Sequence, residues 1–534
     1  MDEKRRVGIA LGACAAMIGL LLGAPPATAA DAHPDPRPVV RTEAGAVRGA
    51  AAEGVRTFRG IPYAAPPVGE QRWRSPRPAR PWKGVRDASE PGPACAQVPG
   101  ELPEGSKSED CLYLDVTAPA DASRGTPKPV IVWIHGGGFF MGRGSSYHAQ
   151  RLATRGDVVV VTINYRLGIF GFFGHPDLPG SGTFGLQDQQ AALAWVRRNI
   201  AAFGGDARNV TVAGQSAGAM STCAHLTSPF STGLFDKAVM QSGSCDFEWL
   251  DNFDYRGQQA SSIYVPRSAV EENGRRVARE LGCATEAPVE CLRAKPVDEL
   301  LAQHQAFIQP AYGTPMLPFE PSTAARWGGF SRVPVLSGTT RNETTSWAAV
   351  YDNGQPMSDR TYREVLAETF GADADEVRAR YPRSAYDTAA EAWAAITTDR
   401  EWSCTQYATN RSLARHMPVF HYEFADPNPP AVGPTPPGID LGSPHASDLW
   451  SLFDLMGHRP DFTPEQQRLS EQIIDYWTNF ARTGDPQGQG LPAWPRFRAT
   501  AKEPYVQSLA PGENGIGRTE FVTENHCRFW EELG

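Results

Sequence analysis

The chain has 534 residues and a formal net charge of −9, with 41% hydrophobic and 21% charged residues. This composition is typical of a soluble globular protein with a sizeable core, and it excludes a fibrous or disordered chain. The negative charge also argues against nucleic acid as a partner, because binding to a phosphate backbone needs a basic surface. Neither CxxC pairs nor an HExxH motif occur, so we expect no metal and no cofactor.

The first 29 residues have the three parts of a secretory signal peptide. Basic residues at 4–6 precede an apolar run over 7–22, and small residues at 27–29 provide a cleavage site. The run is too short and too early for a stable membrane anchor. We therefore expect residues 1–29 to be removed and the mature chain to be secreted.

Nine cysteines occur, and one of them, Cys14, lies in the predicted signal peptide. The remaining eight are an even number in a chain bound for an oxidising compartment, where disulfides persist. The count predicts disulfides but does not determine which cysteines pair.

Beyond the leader, residues 39–58 alternate apolar positions with glycine turns, which predicts short antiparallel strands. Short apolar runs typical of strands buried on both faces then follow at Val130–Ile134, Val158–Ile163, Val210–Ala213, Val333–Leu336 and Val419–Phe424. Helical stretches, clearest at 187–203 and 466–482, lie between several of these runs. This alternation predicts a mostly parallel sheet with helices on both faces. We interpret residues 246–331 and 344–418 as excursions that wall an active site.

The motif G-x-S-x-G occurs at residues 214–218, directly after the predicted strand at 210–213. The next residues, 219–225, are compatible with a helix. A serine between a strand and a helix is typical of a nucleophile elbow, in which two glycines permit a strained turn that exposes the serine oxygen. We therefore predict that Ser216 is a nucleophile.

Three successive glycines, residues 136–138, follow His135 at the end of the predicted strand 130–134. Glycines allow backbone N–H groups to approach a bound carbonyl closely, as an oxyanion hole requires. A flexible turn without function is the alternative, but this motif and the one around Ser216 complement each other. We interpret His135 itself as a structural residue.

A nucleophilic serine needs a general base, and the chain contains eleven histidines. His225 lies nine residues along the helix after Ser216, about 13 Å away along the axis, and so cannot reach it. His421 lies within an apolar strand and is interpreted as a core residue. His445 follows a Pro/Gly-rich loop beyond a strand, a place from which a side chain can project over a sheet edge. His445 is the predicted base.

The acid that orients the base is expected between the nucleophile and the histidine in chain order. Glu343 fits this position, seven residues after the strand that ends at Leu336. Asp448 is the local alternative, because it lies only three residues beyond His445. We favour Glu343, since in proteins with a nucleophile elbow of this kind the acid follows a separate strand that comes earlier in the chain than the histidine.

Together these motifs resemble the type-B carboxylesterase family, which includes the cholinesterases. The resemblance covers nearly the whole mature chain and extends to three further segments, Phe58–Pro67, Glu109–Leu114 and Trp477–Pro486. It implies the α/β-hydrolase fold in a single domain over residues 30–534. It also implies a triad of Ser216, His445 and Glu343, and backbone oxyanion donors at Gly137, Gly138 and Ala217.

The resemblance further implies three disulfides, Cys95 with Cys111, Cys283 with Cys291, and Cys404 with Cys527. We expect Cys223 and Cys245 to form a fourth. One of these lies in the helix after Ser216, and the other lies just past the next predicted strand, at 238–241.

Two departures from the family pattern bear on the substrate. Gln215 stands where the family usually has Glu, which removes a negative charge beside the nucleophile. Residues 95–111 contain no aromatic residue, whereas cholinesterases carry there a Trp that binds choline by a cation–π contact. We therefore expect short to medium uncharged esters to be preferred over choline esters.

The predicted function is hydrolysis of small-molecule carboxylic esters through an acyl-enzyme. One alternative is a silent binding or adhesion module on the same fold, which the presence of all three triad residues opposes. The other is a lipase or amidase, which the sequence leaves open because loop walls set the acyl and leaving-group preference. The sequence indicates no oligomeric state.

Overall fold

A sheet of eleven strands forms the centre of the protein. The computed structural model describes residues 37–329, 331–433 and 439–534. The strands of the large sheet are β1 (Ala50–Ala52), β2 (Val55–Pro62), β3 (Tyr113–Pro119), β4 (Lys128–Ile134), β5 (Val159–Ile163), β6 (Gly205–Gln215), β7 (Lys237–Gln241), β8 (Val335–Thr340), β9 (Val419–Phe424), β10 (Val506–Leu509) and β11 (Ile516–Thr519). Their order across the sheet is β11-β10-β9-β8-β7-β6-β4-β5-β3-β2-β1.

The seven strands β4 to β10 pair in parallel, and the remaining strands at the two edges pair antiparallel. The mostly parallel sheet predicted from the apolar runs is therefore confirmed. The predicted antiparallel strands at 39–58 are also present, since Val39–Arg41 pairs with Ala46–Arg48 and β1 pairs with β2. Several strand boundaries differ from the predicted runs, and β6 is longer at both ends than residues 210–213. Strand β8 begins at Val335 and not at Val333, because Pro334 has no N–H for a ladder.

Helices fill the connections between the strands. The described residues form sixteen α-helices: α1 (Gln150–Gly156), α2 (Gly168–Phe172), α3 (Phe184–Asn199), α4 (Ala217–Thr227), α5 (Arg267–Glu280), α6 (Pro288–Arg293), α7 (Val297–Leu301), α8 (Pro321–Trp327), α9 (Thr345–Ala348), α10 (Asp359–Phe370), α11 (Ala374–Arg380), α12 (Ala389–Thr397), α13 (Cys404–Leu413), α14 (Pro464–Thr483), α15 (Phe521–Glu524) and α16 (Cys527–Leu533). Helices α5 to α8 lie in the first predicted excursion, and α9 to α13 lie in the second. The predicted helix at 187–203 is α3, followed by a short 3₁₀ turn at Ile200–Phe203.

The core occupies both faces of the sheet, and strand β4 shows why. Side chains of a strand alternate between faces, so every residue of a doubly covered strand must be apolar. Val130, Val132 and Ile134 pack into the cluster on one face, whereas Ile131 and Trp133 pack into the cluster on the other. This pattern explains the continuous apolar run in the sequence.

Helix α14 illustrates how local sequence sets the helix ends. Thr463 and Gln466 form a capping box at its start, and Pro464 occupies the first helical position, where no N–H is needed. Gly484 ends the helix with a φ of 79°. The face that packs against the sheet is apolar and includes Leu469, Ile473, Ile474, Trp477 and Phe480.

All four expected disulfides are present. Cys95 bonds Cys111, Cys283 bonds Cys291, and Cys404 bonds Cys527. The fourth bond, between Cys223 and Cys245, joins α4 to the segment after β7. The helix that follows Ser216 is therefore covalently attached to the neighbouring connection of the sheet.

The predicted signal peptide, residues 1–29, lies outside the described residues, so export stays a prediction. In residues 37–329, 331–433 and 439–534 no helix is long and apolar enough to cross a membrane. The same three segments contain no group of three or more His, Cys, Asp or Glu side chains arranged to hold a metal ion.

His421, interpreted from the sequence as a core residue, is fully buried in β9. Its ring packs against Phe497 and Phe521, with centroid distances of 5.5 and 4.7 Å. Neither ring nitrogen has a hydrogen-bond partner among the described residues. Burial lowers the pKa of His421 from 6.5 to about 3, so the folded protein holds this ring neutral.

We predict that His421→Phe makes folding less sensitive to acid. The unfolded chain takes up a proton at His421 below about pH 6.5, whereas the folded chain does not, so the wild type loses stability as the pH falls from 6.5 towards 3. Relative to the variant, this loss should approach about 1.4 kcal/mol per pH unit once the pH is well below 6.5. Urea unfolding at several pH values between 7 and 4.5 measures it.

The exposed His458 supplies the matched control. His458→Gln should leave the dependence of unfolding free energy on pH unchanged. Parallel curves for wild type and His421→Phe over this range would contradict the assignment of a neutral buried ring.

Candidate active site

Ser216 lies in a strained turn between β6 and α4. Its backbone has φ 57° and ψ −127°, a conformation that residues with a side chain rarely adopt. The flanking glycines are required by close contacts: a Cβ on Gly214 would lie 2.4 Å from the carbonyl of Gly218, and a Cβ on Gly218 would lie 2.0 Å from the carbonyl oxygen of Ile134. The G-x-S-x-G motif therefore forms the elbow predicted from the sequence.

The glycine loop after β4 packs directly against this elbow. A Cβ on Gly136 would lie 3.1 Å from Cβ of Ser216. Gly137 and Gly138 have φ values of 96° and 57°, and a Cβ on Gly137 would lie 2.3 Å from the carbonyl oxygen of Met141. Only glycine permits this backbone so close to the serine.

Three backbone N–H groups near Ser216 have no acceptor. They belong to Gly137, Gly138 and Ala217, and within the described part of the chain none of them donates a hydrogen bond. Ala217 is the first residue of α4, where N–H groups lack partners within the helix and the helix dipole favours negative charge. These are the groups expected from the sequence to act as oxyanion donors.

The predicted acid and base are in direct contact. Nδ1 of His445 lies 2.5 Å from Oε2 of Glu343, which is fully buried. The other carboxylate oxygen of Glu343 accepts a hydrogen bond of 2.8 Å from the N–H of Thr340, at the end of β8. The N–H of His445 donates to the carbonyl of Glu343 at 3.1 Å. Both the side chains and the backbones of the two residues are thus held together.

Neighbouring residues connect the same two loops. The N–H of Asn342 donates to the carbonyl of Ser443 at 3.0 Å, and the N–H of Ser443 donates to Oδ1 of Asn342 at 3.0 Å. These bonds place the loop after β8 against the loop after β9. The short distance between Glu343 and His445 therefore rests on a paired backbone and not on side-chain reach alone.

Asp448, the local alternative, has different partners. Its Oδ2 accepts hydrogen bonds from Nε2 of Gln241 at 2.8 Å and from the hydroxyl of Tyr422 at 3.1 Å. Burial is the largest cause that raises its pKa to about 6. In the described residues it makes no hydrogen bond with His445, so Glu343 is the carboxylate in contact with the ring.

The second ring nitrogen of His445 faces Gln215. Nε2 of the histidine lies 3.0 Å from Nε2 of the glutamine amide. The side-chain oxygen of Ser216, in contrast, has no hydrogen-bond partner in the described parts of the chain. His445 therefore contacts the residue that directly precedes Ser216, and the amide of Gln215 is its hydrogen-bond partner there.

Two tryptophans flank the ring of His445, and sequence reasoning did not find them. The rings of Trp402 and Trp347 lie 4.6 and 5.2 Å from it, between centroids. Trp402 lies in a π-helix, Thr398–Ser403, between α12 and α13. Such segments occur frequently at functional sites. The aromatic content of the excursions was the only signal in the sequence that could have indicated this wall.

The row of aromatic rings continues away from His445. Phe247 lies 4.5 Å from Trp402 and 4.6 Å from Trp249, and Phe253 lies 4.6 Å from Trp249 and 5.5 Å from Trp347. All five rings come from the two excursions. We refer to these five residues as the aromatic wall.

The histidines excluded from the sequence as bases are buried in the structure. Burial lowers the pKa of His135 to about 4, and its ring stacks on Tyr165 at 4.4 Å. Burial likewise lowers the pKa of His225 to about 3, and its ring nitrogens contact Ser231 and Gln189. The contacts of both rings are with core residues, and neither ring shares a hydrogen bond with His445.

Comparison with known proteins places this site in a family. The model of the carboxylesterase family matches residues 36–530. The chain is 34% identical over 519 residues to the cocaine esterase of Homo sapiens, covering 91% of this chain and 88% of that protein. It is 35% identical over 481 residues to the para-nitrobenzyl esterase of Bacillus subtilis (strain 168), covering 88% of this chain and 94% of the relative.

The structural comparison agrees. A solved structure of a PNB esterase superposes with a TM-score of 0.74 at 33% sequence identity, and the match covers 93% of this chain and 99% of that one. The chain therefore belongs to the carboxylesterase family, has the α/β-hydrolase fold and is a carboxylic ester hydrolase.

Proposed function

We propose that this hydrolase cleaves uncharged carboxylic esters through an acyl-enzyme, with Ser216 as nucleophile, His445 as general base and Glu343 as the acid that orients the base. The observation that carries the proposal is the meeting of three features at one strained serine. These are the contact between Glu343 and His445, the position of His445 beside the elbow, and three free backbone donors.

The first half of the reaction forms the acyl-enzyme. His445 takes the hydroxyl proton of Ser216 at Nε2 while the serine oxygen attacks the ester carbonyl. The tetrahedral oxyanion accepts hydrogen bonds from the N–H groups of Gly137, Gly138 and Ala217. The tetrahedral intermediate collapses, the bond to the alcohol oxygen breaks, and the protonated His445 donates its proton to the leaving alcohol.

The second half releases the acid. A water molecule gives a proton to His445 and attacks the acyl carbon, and the same donors hold the second oxyanion. Ser216 then leaves with the proton from the histidine, which returns the enzyme to its initial state. Throughout, Glu343 fixes Nδ1–H towards itself and stabilises the imidazolium that forms at each step.

The aromatic wall supports uncharged substrates. Trp249 and Trp347 are partly exposed and offer apolar surface on the side of His445, while the other three rings are buried behind them. Burial of apolar groups favours binding by roughly 0.8 kcal/mol per methylene. Two relatives carry names that refer to aromatic esters or drugs, cocaine esterase and para-nitrobenzyl esterase. We extend to this chain only the class of substrate, neutral esters with apolar acyl or alcohol groups.

Loss of the nucleophile or the base should remove activity as a unit. We expect Ser216→Ala and His445→Ala each to lower kcat by about a million-fold, and the double variant to be little worse than either single one. Hydrolysis of p-nitrophenyl butyrate, with folding checked by circular dichroism, measures this. Losses that add in the double variant, or a single variant with near wild-type kcat, would count against the assignment.

The identity of the acid can be tested with two amide substitutions. Glu343→Gln keeps the shape of the side chain but removes the charge opposite the imidazolium, so kcat should fall by roughly 10⁴-fold. Asp448→Asn should cost far less, because Asp448 bonds Gln241 and Tyr422 and not the base. Both variants are assayed on the same ester, and a greater loss in Asp448→Asn would refute Glu343 as the acid.

Longer uncharged acyl groups should raise kcat/KM. We expect kcat/KM for p-nitrophenyl butyrate to exceed that for p-nitrophenyl acetate by about tenfold, since two extra methylenes are buried.

A positive charge on the alcohol should bring no advantage. The kcat/KM for acetylcholine should be no higher than that for 3,3-dimethylbutyl acetate, its neutral isostere. A clear preference for acetylcholine within this pair would overturn the proposed substrate class, and faster cleavage of a p-nitroanilide than of the esters would instead indicate an amidase.

A further inference from the structure

The contact between Gln215 and His445 determines which atoms carry hydrogens. Nδ1 of His445 faces the carboxylate of Glu343, which accepts hydrogen bonds, so Nδ1 is the protonated nitrogen of the neutral ring. Nε2 is then an acceptor. The atom 3.0 Å away is Nε2 of Gln215, an amide nitrogen with two hydrogens to donate. In the resting site the amide therefore donates to the lone pair of the base.

This lone pair is the one that must accept the proton of Ser216. Once His445 is protonated, Nε2 becomes a donor and can no longer face an NH₂ group. A half turn of the amide about its last torsion would present the amide oxygen instead, which is an acceptor. Glutamine can serve both states of the ring, whereas glutamate, when ionised, serves only the protonated state.

The surroundings of Gln215 fit this exchange. Gln215 is 3% exposed, so bulk water does not compete with His445 for hydrogen bonds to its amide. Its Oε1 lies 2.9 Å from where a Cβ of Gly136 would be, and the absence of that atom leaves room beside the amide. Gly136, the first glycine of the loop, thus accommodates the side chain that contacts the base.

We propose that Gln215 is a positioning residue that hydrogen-bonds His445 in both of its protonation states, and that its neutral amide keeps the base free of its proton at lower pH than a carboxylate would. The proposal rests on the proposed role of His445 as base. Gln215 acts through His445 and exchanges no proton with the substrate.

The other groups around the ring do not provide this function. Glu343 binds the opposite nitrogen, and Asp448 is buried nearby but bonds Gln241 and Tyr422. Trp347 and Trp402 present uncharged rings. Among the described residues, Gln215 is therefore the single hydrogen-bond partner of Nε2.

The test compares Gln215→Glu and Gln215→Met in the full-length enzyme. The readout is the pH profile of kcat/KM for p-nitrophenyl butyrate between pH 4.5 and 9, with active sites counted by a phosphonate inhibitor. In Gln215→Glu the new carboxylate favours the protonated ring, so the acid limb of the profile should move to higher pH by about one unit or more. A residue with only a packing role would change the amount of active enzyme but not the position of this limb.

Gln215→Met keeps the approximate shape but neither donates nor accepts as the amide does. The hydrogen bonds to the neutral and to the protonated ring are lost together and act on its protonation in opposite directions, so the acid limb should stay close to that of the wild type, whereas kcat on the plateau should fall about fivefold. Gln150→Glu, at the exposed start of α1, adds the same charge away from the site and should leave the profile unchanged.

The outcomes separate the two proposals. If Ser216→Ala or His445→Ala retains activity, the proposed function fails, whatever Gln215 does. If both lose activity while the profiles of Gln215→Glu and Gln215→Met coincide with that of the wild type, the role of Gln215 is refuted and the proposed function stands. Should the buried charge prevent Gln215→Glu from folding, the plateau kcat of Gln215→Met decides alone, and a value equal to that of the wild type refutes the role of Gln215.

Discussion

The strained backbone at Ser216 is the constraint on which the rest of the site depends. A residue in this conformation costs on the order of 1–3 kcal/mol, so the surrounding structure has to hold it in place. Its N–H donates to the carbonyl of Gln241 in the neighbouring strand. Gly218 lies against the carbonyl of Ile134, and the disulfide of Cys223 fastens α4 to the connection after β7. A hydrogen bond, a close packing contact and a disulfide thus hold the elbow in place.

The parallel strands bring the remaining groups to this point. The carboxyl ends of parallel strands meet at one edge of a sheet, where such folds bind their ligands. The glycine loop follows β4, the serine follows β6, Glu343 follows β8, and His445 lies beyond β9. Because both faces of these strands are buried in apolar clusters, the strand ends cannot shift independently. Hydrogen bonds between the loops after β8 and β9 then set the contact of Glu343 with His445.

Short sequence patterns predicted the strands and the elbow, whose conformations depend mainly on neighbouring residues. Continuous apolar runs indicated the parallel strands, and the G-x-S-x-G motif after a strand indicated the elbow, since few other residues fit that backbone. Local sequence could not decide between Glu343 and Asp448 as the predicted acid, because both are acidic residues in loop segments. The order of the residues along the chain favoured Glu343. Trp402 and the π-helix around it were not predicted, since their positions depend on how the second excursion packs against His445 and not on any period in its sequence.

The contact of Gln215 with His445 also escaped local reasoning, although the departure from the family pattern was visible. The structure gives it a physical meaning. Burial already raises the pKa of Asp448 to about 6 and that of Glu401, next to Trp402, well above its usual range. A further carboxylate at 215 would add negative charge beside the serine, next to the proposed oxyanion, in a region of low dielectric. An amide offers hydrogen bonds to the proposed base without placing a negative charge beside the proposed oxyanion.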